Sequence, residues 1–225
     1  MTILKKGSGY DHPGDNDCVK LHFTGWKRDG SFLATSRLRG EPENGCLRTL
    51  FAGVAEALKT MVVGEERRLW IPADLTFRMD EPEEPPPRAD VTYDIELLSI
   101  QKAPPTPRDL KVPPAAARKL SSGLAVQVLS KGHGTRHPAP GGSVKLHFSG
   151  WTTDGRLVES TVMAGRPAVY ELEAVVPGWR EALQQMVVGD KVRLWIPAAL
   201  AYGDKPRKGA PRGDLVYELE LLALE

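Results

Sequence analysis

The sequence predicts an α+β protein made of two homologous domains, each an antiparallel sheet with one short helix. The first observation is a repeat: CVKLHFTGWKRDG at 18–30 returns as SVKLHFSGWTTDG at 143–155, and RLWIPA occurs at 68–73 and again at 193–198. The copies lie 125 residues apart, from position 18 to position 143. Solenoid repeats are only about 20–50 residues long. We therefore interpret the copies as two domains with a common ancestor.

The other two observations are the periods of the apolar residues. Val19, Leu21 and Phe23 alternate with polar residues, and the same alternation returns in the second copy, which is typical of half-buried strands of an antiparallel sheet. GWREALQQM at 178–186 instead has the spacing of a helix, and its counterpart is 53–61. A sheet with one short helix on one face is an α+β arrangement.

The repeats also set the domain bounds. We assign residues 1–101 to the first domain and residues 121–225 to the second. The segment 102–120 between them contains five prolines, so we predict an extended, semi-rigid linker.

Composition excludes several classes of partner. The 225 residues carry a net charge of +1, with 41% hydrophobic and 26% charged residues, so we expect neither a nucleic acid nor a membrane surface as partner. No apolar run approaches the roughly 18 residues of a membrane span, and the N-terminus has no apolar signal segment. Cys18 and Cys46 are absent from the second copy, where Ser143 replaces the first. We therefore expect reduced cysteines and a cytoplasmic location.

Four linked motifs of the second copy carry a family resemblance. They are VKLHFSGWTTDG at 144–155, VVPGWREALQQMVVGDKVRLWIP at 175–197, ALAYG at 199–203 and DLVYELELLALE at 214–225. In this order they resemble the FKBP family of peptidyl-prolyl cis-trans isomerases. The resemblance implies a twisted antiparallel sheet wrapped around a short helix. It also implies an apolar pocket that accepts a proline ring of a peptide or protein.

The chemistry of that reaction suits such a pocket. Resonance gives rotation about a peptide bond a barrier of about 18–20 kcal/mol, and X–Pro bonds populate both isomers. The twisted transition state has lost this resonance and is less polar than the planar amide, so an apolar pocket favours it relative to water. The reaction requires no nucleophile, metal or cofactor, and we expect none.

The resemblance assigns eight residues of the second copy to the site. Trp179 would form the floor under the proline ring, Tyr202 would donate its hydroxyl to a substrate carbonyl, and the amide of Val176 would act in the same way. The residues assigned to catalysis are Phe148, Glu159, Trp179 and Tyr202, and those assigned to substrate binding are Val158, Val175, Val176 and Tyr217.

The second copy departs from the family pattern at several of these positions. Phe148, Val158 and Glu159 stand where the family usually has Tyr, Phe and Asp. The loop after AYG is about two residues short and lacks the apolar pair that normally closes over the substrate. We therefore expect a wider site that binds the macrolide inhibitors of the family only weakly.

The first copy departs further. Val54 replaces the tryptophan of the floor, Phe77 replaces the tyrosine that donates, and Leu33 and Ala34 occupy the aromatic and acidic positions. We predict that the second domain catalyses isomerisation and that the first, a degenerate copy, binds or positions the substrate. The alternative is a chaperone or assembly module that has lost turnover in both copies.

The tryptophans outside the predicted pocket can have either of two roles. Trp70 and Trp195 alternate away from the apolar faces of their strands. They either pack on the outer side of each sheet or form a contact patch between domains, and we favour packing.

Overall fold

The computed structural model describes residues 1–76, 89–203 and 209–225. It divides into two compact units, Met1–Ala103 and Pro104–Glu225. Phe77 and residues 204–208 of the loop after AYG lie outside the described residues. In the part of the chain that is described, no helix is both long and apolar enough to cross a membrane.

The first unit is an antiparallel sheet with one α-helix. Its strands are β1 (Thr2–Lys5), β2 (Cys18–Lys27), β3 (Phe32–Thr35), β4 (Glu43–Cys46), β5 (Glu66–Ile71) and β6 (Val91–Gln101), and its helix is α1 (Ala52–Leu58). The strand order is β1-β5-β6-β2-β3, and β4 pairs with β2 beyond the end of β3.

The second unit repeats this arrangement and adds one short strand. Its strands are β7 (Arg118–Lys119), β8 (Ala125–Ser130), β9 (Ser143–Thr152), β10 (Leu157–Ser160), β11 (Ala168–Glu171), β12 (Lys191–Ile196) and β13 (Leu215–Leu224), and its helix is α2 (Pro177–Leu183). The strand order is β10-β9-β13-β12-β8-β7, and β11 pairs with β9.

Each helix packs on the inner face of its own sheet, as the apolar period predicts. Pro177 begins α2, where its fixed backbone angle suits the first helical position. A side chain at Gly178 would come within 2.6 Å of Ile196 on β12, so glycine allows the helix to lie close to the sheet. Leu183 and Met186 then fill the core beneath it. The predicted α+β architecture is confirmed in both units.

The proline-rich segment lies against the outer face of the second sheet. Arg193 donates from Nη1 to both carboxylate oxygens of Asp109, at 2.8 and 2.9 Å, and Trp195 Nε1 donates to the Asp109 carbonyl at 2.8 Å. Leu110 is buried in a cluster that includes Trp151 and Trp195. Residues 104–120, where the sequence suggests a linker, thus group with the second unit.

The two cysteines form a disulfide. Cys18 on β2 lies directly opposite Cys46 on β4, and the structure joins them. The prediction of reduced cysteines is therefore wrong, and the expected cytoplasmic location loses this support. The second unit places Ser143 opposite Glu171 at the same register, so its sheet closes without the bond.

Candidate active site

A cavity of about 360 Å³ opens in the second unit beside the start of α2. It is lined by Phe148, Glu159, Tyr170, Ala174, Val175, Val176, Trp179, Ala201, Tyr202 and Tyr217. Seven of the eight residues assigned from the sequence are among them. The eighth, Val158, is half-buried and packs against the adjoining core. Volumes of roughly 300–1,000 Å³ are usual for small-ligand sites.

Three aromatic rings from three elements form the floor. Trp179, in the first turn of α2, meets Phe148 on β9 and Tyr217 on β13 with ring centroids 4.9 Å apart in both pairs. The planes cross at 69° and 81°, which is the edge-to-face geometry that aromatic pairs prefer. The indole nitrogen of Trp179 is buried and has no hydrogen-bond partner among the described residues. The floor consists mainly of aromatic carbon and is fixed by mutual ring contacts.

A glycine on the neighbouring strand makes room for the tyrosine of this floor. Gly150 on β9 faces Tyr217 on β13, and a Cβ at Gly150 would lie only 2.1 Å from Cε1 of the tyrosine ring. Gly25 and Tyr93 repeat the relationship in the first unit, at 2.5 Å. The glycine of the FSGW and FTGW motifs therefore lets a tyrosine ring lie over the backbone of the adjacent strand.

Phenolic hydroxyls supply much of the polarity of the cavity. Burial raises the pKa of Tyr217, and Tyr202 and Glu159 raise it further because they disfavour a negative charge nearby. A hydrogen bond with Tyr202 also holds the Tyr217 proton. Tyr202 itself is 39% exposed at the rim. Tyr217 is thus a neutral hydrogen-bond donor, and its bond helps to position the more accessible hydroxyl group of Tyr202.

Tyr170, which is not among the residues assigned from the sequence, forms a further wall of the cavity. Its ring is perpendicular to that of Trp179, at 90°, with centroids 6.1 Å apart. Burial raises its pKa, and so does the charge of Glu159. The available signal was the alternation in AVYE, which places Tyr170 on the same side of β11 as Ala168, a residue that packs on the core.

The first unit replaces much of this lining. Val54 occupies the position of Trp179 and is buried in the core, Gly45 that of Tyr170, and Phe51 that of Val176. The ring of Phe51 instead packs edge-on against Tyr93, with centroids 6.2 Å apart. The helix therefore contributes no ring to a floor, although the sheet keeps its tyrosine.

Histidines recur in both units as parts of the fold. His12 Nδ1 lies 3.0 Å from the carbonyl oxygen of Met61, and His137 Nδ1 lies 3.0 Å from that of Met186. The contact is the same in the unit that keeps the aromatic floor and in the one that lacks it. We therefore assign these histidines to the fold rather than to the chemistry.

The comparisons with known proteins agree with this architecture. The description of the FKBP-type peptidyl-prolyl cis-trans isomerase family matches residues 9–98 and again residues 134–222, which together make up most of the chain. The protein belongs to this family and carries two copies of its domain.

Curated relatives match about one domain's length of the chain. The FKBP-type peptidyl-prolyl cis-trans isomerase FkpA of Aeromonas hydrophila is 40% identical over 109 residues, which cover 48% of this chain and 40% of the relative. The FKBP-type 22 kDa peptidyl-prolyl cis-trans isomerase of Escherichia coli K12 is 41% identical over 105 residues, 46% of this chain and 50% of the relative. The matches span about half the length of these relatives or less. Among solved structures, FkpA from Escherichia coli is 33% identical and covers 50% of this chain and 53% of its own, with a TM-score of 0.47.

Proposed function

We propose that this protein is a peptidyl-prolyl cis-trans isomerase in which the second unit catalyses rotation of X–Pro bonds in peptides and proteins. The observation that carries the proposal is the aromatic floor of the cavity. Trp179 lies edge-on between Phe148 and Tyr217 and offers an apolar surface to a proline ring. The first unit lacks the ring that Trp179 contributes.

The floor acts by favouring the transition state over the ground state. A planar amide keeps its resonance dipole and is better solvated by water than the twisted amide. Moving both from water to an apolar cavity costs the planar form more, so the barrier falls. Only such differential stabilisation accelerates a reaction, and each 1.36 kcal/mol is worth about a factor of ten.

Two donors hold the substrate in place beside the floor. The amide of Val176, the residue before α2, has no hydrogen-bond partner among the described residues and is free for a substrate carbonyl. The exposed hydroxyl of Tyr202 supplies the second donor. Tyr217 acts on it as a positioning residue, because its own proton is held in the hydrogen bond with Tyr202.

The first unit has a different role in this proposal. Its sheet and helix are complete, but Val54 and Gly45 stand where Trp179 and Tyr170 line the cavity. We assign it to the binding or positioning of protein substrates. Phe148 and Glu159 stand where the family usually has Tyr and Asp, and these differences support weak binding of the family's macrolides.

The experiment uses the full chain and a protease-coupled assay on a short X–Pro peptide. Trp179→Ala should lower kcat/KM about tenfold or more, since a floor ring is lost. Trp179→Leu keeps apolar volume and should retain part of the activity. Val54→Ala is the matched control at the equivalent position of the first unit and should leave kcat/KM unchanged.

The outcomes separate the proposal from its alternatives. Equal activity of folded Trp179→Ala and the unaltered chain would show that this cavity is not the catalytic site. A loss with Val54→Ala would move catalysis to the first unit. An unaltered chain that accelerates no X–Pro bond yet suppresses aggregation of an unfolded protein would favour a chaperone without turnover.

A further inference from the structure

The outer face of the second sheet carries an apolar row that the chain covers itself. Leu157, Trp151, Val216 and Trp195 lie side by side across β10, β9, β13 and β12. Leu110 of the proline-rich segment packs into this row. As a result Trp195 is only 6% exposed.

The covering segment is recognised by polar contacts as well as by burial. Nη1 of Arg193 binds the carboxylate of Asp109, while Nε and Nη2 of the same guanidinium bind Glu218 at 3.1 and 2.6 Å. The Asp109 carbonyl accepts the indole proton of Trp195. A Cβ at Gly155 would lie 3.6 Å from the methyl carbon of Thr106, so the segment also contacts the β9–β10 turn.

The first unit has the same row, and it is open. Phe32, Trp26, Thr92 and Trp70 lie side by side across β3, β2, β6 and β5. Trp70 is 57% exposed and Phe32 is 54% exposed. A side chain at Gly30, the counterpart of Gly155, would meet nothing within 4 Å. The described residues thus place no covering segment on this face.

The donors that would bind a segment are also present in the first unit, and they have no partner among the described residues. Arg68, the counterpart of Arg193, donates from Nε and Nη2 to Asp94 at 2.7 and 2.8 Å. Its Nη1, the nitrogen that binds Asp109 in the other unit, has no partner among the described residues, and neither has the indole nitrogen of Trp70. The Arg68 side chain is 42% exposed, against 18% for Arg193. It lies over the Trp26 ring, 5.7 Å from the centroid.

We propose that this aromatic face, formed by Trp26, Phe32, Arg68 and Trp70, binds a segment of another protein in which prolines flank an aspartate and a following leucine. The aspartate carboxylate would bind Nη1 of Arg68, and its carbonyl would accept the indole proton of Trp70. The leucine would pack into the row as Leu110 does. The chemistry of the ligand is read from the occupied copy of the same face, and it is independent of where catalysis takes place.

The probe is a fluorescein-labelled peptide with the sequence of residues 104–114, PPTPRDLKVPP, titrated into the full chain and followed by anisotropy. We expect saturable binding. Trp70→Ala and Arg68→Gln should each weaken it about tenfold, as should alanine at the aspartate of the peptide, since each removes an anchor of the contact. Trp70→Ala should leave the kcat/KM of the full chain on short peptides unchanged, because Trp70 belongs to the unit that does not carry the aromatic floor.

The remaining outcomes overturn the proposal. Trp179→Ala is the control for binding in the isomerase cavity, and a loss with that variant alone would place the peptide there. No saturable binding to the folded full chain would remove the site. Self-association that is abolished by Trp70→Ala, without peptide binding, would make the occupant a second copy rather than another protein.

Discussion

Arg193 and Asp109 form a two-contact ion pair, with Nη1 of the guanidinium 2.8 and 2.9 Å from the carboxylate oxygens, although 84 residues separate them in the chain. The guanidinium also binds Glu218, so one cation joins two strands of the sheet to the segment before it. This contact places residues 104–117 in the second unit.

Asp109→Ala should lower the free energy of unfolding of the second unit by about 1–2 kcal/mol, because hydrogen bonds to a charged group are lost while Arg193 keeps Glu218. Urea unfolding followed by tryptophan fluorescence measures the change. Arg108→Ala, at the exposed neighbour, is the matched control and should leave the midpoint unchanged. A midpoint unaffected by Asp109→Ala would mean that the segment adds nothing to stability.

Tyr202→Phe should lower kcat/KM about fivefold, because it removes one hydrogen bond worth about 1 kcal/mol. Tyr217→Phe should have a smaller effect on the intact site and no further effect once Tyr202 is phenylalanine, since it acts through that hydroxyl. A double-mutant cycle in the X–Pro assay measures the coupling. Tyr170→Phe is the matched control. Additive losses from the two variants would contradict the positioning role of Tyr217.

Reduction should destabilise the first unit selectively. The Cys18–Cys46 bond closes a loop of 28 residues, for which chain entropy gives a stabilisation of about 3–4 kcal/mol. Urea unfolding with and without dithiothreitol should therefore show a lower midpoint for the first unit and an unchanged midpoint for the second, which has no cysteine. Cys18→Ser should reproduce the effect of the reductant. Equal midpoints in both conditions would show that the bond is dispensable.

The free energy of unfolding of the second unit should fall above about pH 10. Burial raises the pKa of Tyr217 above its ordinary value, so the folded state holds the phenolic proton more tightly than the unfolded state. Below pH 10 the phenol is neutral in both states, and its contribution is complete. At higher pH the unfolded state loses the proton first and is favoured. Tyr217→Phe should flatten the decline between about pH 9 and pH 11, and an unchanged slope would contradict the shift.

Most of the fold follows from sequence patterns that are local or repeated. The seven cavity residues follow instead from the resemblance to the FKBP family, which assigns Phe148, Trp179 and Tyr217 without knowledge of their contacts. Val158 shows the limit of that assignment, because its side chain packs against the core instead of lining the cavity.

The features that sequence analysis missed depend on pairings between distant residues. The five prolines of the segment before the second unit say nothing of a bond between Asp109 and Arg193. The second copy has no cysteines, which suggests that Cys18 and Cys46 are unpaired in the first. Their pairing follows instead from the register between β2 and β4. The short strand ENGC has little apolar pattern to reveal that register.

The lining of the cavity has a consequence for the range of acidity in which the protein can work. Among its ten described residues the titratable side chains are one glutamate and three tyrosines, with no histidine, lysine or cysteine. Burial raises the pKa values of Tyr170 and Tyr217 above the ordinary value near 10. These two phenols therefore keep their protons throughout the range of acidity over which living compartments differ. Their hydroxyl groups would be the same in a mildly acidic compartment and in a mildly alkaline one.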